Sequence, residues 1–66
     1  MNPHTAQLLS FFEYAHLPPN LQAVSKPLCE LAVSMDKSLP ASAELTAGLR
    51  KLLEAKDCFV RAALIK

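Results

Sequence analysis

The side chains able to do chemistry here are His4, His16, Cys29, Cys58, Tyr14 and six carboxylates, set against seven Lys and Arg. Nucleophilic catalysis needs a nucleophile within reach of a base that a third group orients. Cys29 and Cys58 both fall inside helical apolar patterns, where a free thiol behaves as a small apolar residue. The two histidines fall in the least helical part of the chain. No nucleophile–base–orienter set assembles from that spacing. A single Gly rules out a glycine-rich phosphate loop, and no His or Cys spacing suits a metal. The expectation is a protein that is not an enzyme and has no cofactor and no metal.

Recognition by contact is the remaining chemistry. The stretch Phe11–Pro27 holds two of the three Phe, the only Tyr, one of the two His and three of the five Pro. Tyr14 offers a flat face with a hydroxyl, and His16 a second flat ring. Gln22, Ser25 and Lys26 add hydrogen bonding and charge. Flat aromatic faces stack on nucleobases, and a Lys or Arg neutralises phosphate. Against this reading, Phe11 and Phe12 belong to a helix stripe and are expected in the core, and Tyr14 suits ordinary packing equally well. Later in the chain, Arg50–Glu54 and Asp57–Arg61 are i,i+4 pairs of opposite sign. They fit a solvated helix face, at about 0.2–0.5 kcal/mol each. Lys56 instead falls on the apolar stripe, between Leu52/Leu53 and Phe59/Val60. Spacing leaves open whether it snorkels to solvent or faces a polar pocket.

Three helices must position these groups. Pro3 to about Ala15 carries Leu8, Leu9, Phe11, Phe12 and Ala15 at helical spacing, with Thr5 or Asn2 as a cap. His16-Leu17-Pro18-Pro19 stops it, because a residue before proline is pushed out of helical geometry. Pro19 suits the opening of a second helix running to about Ser38. Its seam is Leu21, Val24, Leu28, Leu31, Met35 and Leu39. Pro27 lies within that seam and predicts a bend at Ser25-Lys26 rather than a break, since the apolar phase continues across it. After the loop Ser38–Ser42, Ser42 caps a third helix to about Ile65, with Glu44 in its first turn. Leu45, Leu49, Leu52, Phe59 and Ala63 form one seam, with Leu53, Val60 and Leu64 beside it. This stripe is wider than one antiparallel neighbour covers, and Gly48 within the helix suggests close approach of another backbone.

The fold expected is all-α, one domain over 1–66, with a short N-terminal helix before an antiparallel helical hairpin. A chain of 66 residues closes only a marginal core, yet 52% of its residues are apolar. Homo-oligomerisation accommodates that excess. A net charge of +1 argues against DNA or RNA polymers as ligands, which call for a marked basic surplus. A small ligand with a few phosphates fits a few cations brought together by symmetry. Met1-Asn2-Pro3-His4 lacks the basic and apolar runs of a secretory signal, and no apolar run is long enough to span a membrane. The expected setting is therefore soluble and intracellular.

Three stretches taken together carry a resemblance. Phe12-Glu13-Tyr14-Ala15-His16-Leu17-Pro18-Pro19, then Leu21-Gln22-Ala23-Val24-Ser25-Lys26-Pro27, and finally Leu49–Asp57 with Val60-Arg61-Ala62, resemble a family of small phage proteins. These are the cyclic-oligonucleotide sponges that counter the bacterial CBASS and Thoeris defences. The resemblance implies a helical hairpin assembled into a hexamer in the cytoplasm of the infected bacterium. It implies binding without catalysis of cyclic dinucleotides in pockets between protomers, and in some members of cyclic trinucleotides on the three-fold axis. Carried onto this chain, Tyr14 would stack on a base and Lys26 would pair with phosphate. Arg50, Lys56 and Arg61 would be candidates for a second phosphate contact. The competing expectation is a helical protein–protein interaction module with no nucleotide ligand.

Overall fold

The computed structural model describes residues 3–65, with side chains from Thr5 onward. It contains three helices, α1 (Pro3–Ser10), α2 (Pro19–Ser38) and α3 (Ala43–Leu64), and no strand among the described residues. At 1.5 Å per residue α2 and α3 are roughly 30 and 33 Å long. The molecule measures 39 × 19 × 16 Å, so the two helices fold back on each other across the short loop 39–42. The α2–α3 contact is the most extensive, and α1 packs across both, more on α3 than on α2.

Local chemistry explains each helix end. Pro18 is the residue before α2, with φ −60° and ψ 155°, and Pro19 opens the helix, where its missing N–H costs nothing. The Pro18 carbonyl accepts from the amides of Leu21 (3.0 Å) and Gln22 (2.9 Å). The helix then runs unbroken through Pro27 to Ser38. At α3, the Ser42 hydroxyl accepts from the Leu45 amide at 3.1 Å, and Glu44 occupies the first turn as expected.

The first helix ends earlier than its apolar spacing suggests, at Ser10 rather than Ala15. Beyond it the amides of Phe11, Phe12 and Glu13 bond the carbonyls three residues back, at 3.1, 3.0 and 3.4 Å, so the chain tightens out of α geometry. The tightening turns Phe12 inward, where it is fully buried, and leaves Phe11 53% exposed. The expectation that both phenylalanines pack therefore fails for Phe11. Thr5 lies inside α1 and is buried rather than capping it, and Asn2 lies outside the described residues.

The core is Leu8, Phe12, Ala32, Leu45 and Leu49, with Leu9, Leu28, Cys29, Leu52 and Leu53 packed against it. On α2 the fully buried positions are Ser25 and Ala32, two small residues that let neighbouring elements approach. The expected seam is thus rotated, and its far end (Leu31, Met35 and Leu39) remains exposed. These three line an apolar groove of about 470 Å³ together with Leu45, Gly48, Leu49 and Leu52. A Cβ added at Gly48 would meet nothing within 4 Å, so the close backbone expected there is not one of this chain's own described segments. On α3 the outer seam residues Phe59 and Leu64 are likewise exposed. The accessible surface, 4608 Å², exceeds the roughly 4,100 Å² that size scaling gives for a globular chain of this mass.

This arrangement makes the two phenylalanines a test. Truncating a wholly buried Phe costs about 3–5 kcal/mol, comparable to the whole stability of a domain this small. Phe12→Ala is expected to abolish the cooperative thermal transition followed by circular dichroism. Phe11→Ala should move the midpoint by only a few degrees. Equal effects of the two would contradict the packing described.

Candidate functional site

Where the turn after α1 crosses α2 and the later turns of α3, it leaves a cleft of about 370 Å³. Among its lining residues are His16, Ser25, Lys56 and Arg61, four of the eight residues singled out from sequence. Phe11 and Asp57 join them there. The segment 10–17 contributes the exposed aromatic and the histidine, α2 contributes Ser25, and α3 contributes the two cations. Three parts of the chain distant in sequence therefore meet at one place.

Ser25 is 1% exposed, and its hydroxyl finds no hydrogen-bond partner among the described residues. A buried hydroxyl without a partner costs about 1–3 kcal/mol, so this position is not explained by stability. Lys56 has a side chain only 15% exposed, and its Nζ pairs with Asp57 Oδ1 at 3.1 Å. Neighbouring residues on a helix do not face each other, so the long Lys chain folds round to make this contact. Of the two alternatives for Lys56, its side chain does not extend freely into solvent: it lines the cleft, whose wall mixes apolar and polar groups. The expected pairs Arg50–Glu54 and Asp57–Arg61 do not form among the described residues. Asp57 is taken by Lys56, and the Arg61 guanidinium donates instead to Cys58 Sγ at 3.3 Å.

The other sequence candidates lie elsewhere. Tyr14 is half-buried and lines a separate open depression of about 570 Å³ with Cys29, Glu30, Val33, Ser34, Lys37 and Ser38. Lys26 and Arg50 are exposed and line none of these three cavities. Gln22 is scaffold: its Nε2 donates to the carbonyls of Leu17 (2.8 Å) and Ala15 (3.3 Å), pinning the turn that leads into α2. Its amide is thereby committed within the fold. Within this chain, then, Tyr14 and Lys26 do not share a cavity with Lys56 and Arg61.

Burial first, and then the Glu30 and Glu13 carboxylates, hold the Cys29 thiol above its ordinary range. The nucleophilic form, the thiolate, is correspondingly disfavoured. The His4 side chain lies outside the described residues. Among the described residues no three His, Cys, Asp or Glu gather to hold a metal ion, and no helix is long and apolar enough to cross a membrane.

Sequence reasoning missed Phe11 as a cleft wall and Asp57 as the partner of Lys56. One signal pointed there, the placement of Lys56 on an apolar stripe, which a lysine occupies at a cost unless polar groups surround its end. No known family model matches the chain, and no curated protein or solved structure matches it.

The orphan hydroxyl has a measurable consequence. Ser25→Ala removes it and places the better helix former at a buried helical position. The variant should be more stable by about 0.5–2 kcal/mol, raising the melting midpoint by several degrees. A lower midpoint would mean that the hydroxyl is already satisfied in the folded chain.

Proposed function

We propose that this chain is a non-catalytic binding protein that sequesters cyclic nucleotide second messengers. Cyclic dinucleotides are its first candidates and cyclic trinucleotides its second. In this reading it acts in the cytoplasm of an infected bacterium and blocks CBASS-type anti-phage signalling by holding the messenger intact. The observation that carries it is the convergence of two cations, an unpartnered hydroxyl and an exposed aromatic on one cleft. Those are the groups that bind phosphate and stack on a base. Its volume falls at the low end of the range for small-molecule sites, roughly 300–1,000 Å³. The resemblance of the Phe12–Pro27 and Leu49–Ala62 stretches to the sponge family supports the same ligand class.

Homo-oligomerisation, with a hexamer as the expected form, belongs to this proposal. The groove lined by Leu31, Met35 and Leu39 supports it, since apolar surface of that kind is normally covered. In an oligomer, Tyr14 and Lys26 of one protomer can reach the ligand of another, which their separation within one chain requires. The same groove favours the second reading, a helical module that docks onto a different protein and binds no nucleotide.

The two readings separate in one experiment. Purified protein incubated with cyclic dinucleotides, washed and heat-denatured, should release them unchanged by mass. Linear or cleaved products would indicate an enzyme, and no uptake by a monomeric chain would favour the interaction module. Base stacking on an aromatic contributes about 1–3 kcal/mol. Tyr14→Ala should therefore weaken uptake roughly 5- to 150-fold, and Lys26→Ala several-fold, while the molecular mass in solution stays the same.

A further inference from the structure

We propose that Ser25, Lys56 and Arg61 form an oxyanion pocket that takes one phosphate group of the nucleotide. Asp57 holds Lys56 in place until the ligand arrives. This rests on the nucleotide reading above and adds to it the residues that grip the phosphate.

Three observations converge. The first is Ser25, a cleft-lining residue 1% exposed whose enclosed hydroxyl lacks a hydrogen-bond partner among the described residues. A serine hydroxyl can donate one hydrogen bond, and an entering phosphate oxygen would accept it. The second is the pair of cations, Lys56 and Arg61, which line the same cleft one helical turn and a little more apart on α3. Neither has a strong partner: Lys56 is tied to a neighbouring carboxylate that is itself half exposed, and Arg61 reaches only a thiol sulfur. A phosphate oxygen is a much better acceptor than a thiol, so Arg61 gains by the exchange. The third is the charge balance. Glu13 and Asp57 also line the cleft, so two carboxylates face two cations, with His16 alongside.

That balance selects the kind of phosphate. In a site of near-zero net charge a multiply charged anion gains little net attraction to offset its larger desolvation cost. A phosphodiester carries a single negative charge and brings a base with N–H donors. Glu13 makes no ion pair among the described residues and is the natural acceptor for them. The pocket thus favours a phosphodiester joined to a base over free phosphate. Because Asp57 competes with the ligand for Lys56, removing its charge should strengthen binding.

The test is titration calorimetry on the full chain with cyclic di-GMP, cyclic di-AMP and inorganic phosphate, alongside circular dichroism of each variant. Ser25→Ala and Lys56→Gln should each lower cyclic dinucleotide affinity about 5- to 20-fold, as expected for one charge-assisted hydrogen bond. Asp57→Asn, at a half-exposed position, should raise it a few-fold, and inorganic phosphate should bind far more weakly than either dinucleotide. Weaker binding by Ser25→Ala together with a higher melting midpoint would exclude unfolding as the cause. If Tyr14→Ala weakens binding while Ser25→Ala, Lys56→Gln and Asp57→Asn leave it unchanged, the pocket is overturned and the sponge reading stands. If inorganic phosphate binds in a Ser25-dependent way and no cyclic dinucleotide binds, the pocket stands as an anion site and the sponge reading falls. No binding of any of the three overturns both.

Discussion

The burial of Phe12 is the constraint on which the rest of this small structure depends. Its ring is wholly enclosed in the cluster with Leu8, Ala32, Leu45 and Leu49, which brings together the N-terminal segment and both long helices. Burying a side chain of that size contributes about 1.5–3 kcal/mol, a large share of what a 66-residue chain can muster. Enclosing Phe12 requires the chain to leave helical geometry just after Ser10. That departure swings Phe11 outward and carries Glu13 and His16 over the later turns of α3. The cleft is a by-product of how the N-terminus is tied down.

The contents of the cleft are unlike the rest of the fold. Elsewhere among the described residues, Thr5 apart, buried positions are filled by apolar side chains. Here a hydroxyl is enclosed without a partner, and a lysine is drawn away from bulk water towards an acidic neighbour. Both arrangements cost stability. In a small domain with little stability to spare, such departures from local consistency are what single this cleft out as the candidate site. The apolar groove at the far end of the hairpin is a different kind of excess. It consists of surface this chain cannot cover by itself, with Gly48 leaving room for a close neighbour.

Much of the scaffold could be read from local chemistry. Pro19 at the start of α2 and Ser42 at the start of α3 follow from residue types whose backbone preferences act within a few positions, and the continuity of α2 through Pro27 follows from the apolar phase carried across it. The length of α1 did not follow, because spacing through Phe11, Phe12 and Ala15 is helical in form while the tertiary burial of Phe12 decides the geometry. The seam of α2 was misplaced for a related reason. Hydrophobic periodicity ranks large residues first, whereas the positions of α2 that are fully buried are the small ones, Ser25 and Ala32. The site was only partly legible. Lys56 stood out by its position on an apolar stripe, but its union with Asp57, Ser25 and Phe11 depends on where the N-terminal turn lands. Gln22 illustrates the opposite error, since a side chain with the right chemistry for a ligand is spent on the carbonyls of Ala15 and Leu17.

Whether the cleft between the N-terminal turn and α3 holds a nucleotide phosphate can be read from backbone amide NMR signals as cyclic di-GMP is titrated into isotopically labelled protein. A phosphate held there gives saturable shifts centred on Phe11, Ser25, Lys56, Asp57 and Arg61. Shifts confined to Leu31, Met35, Leu39 and Gly48, or no shifts at all, would contradict it.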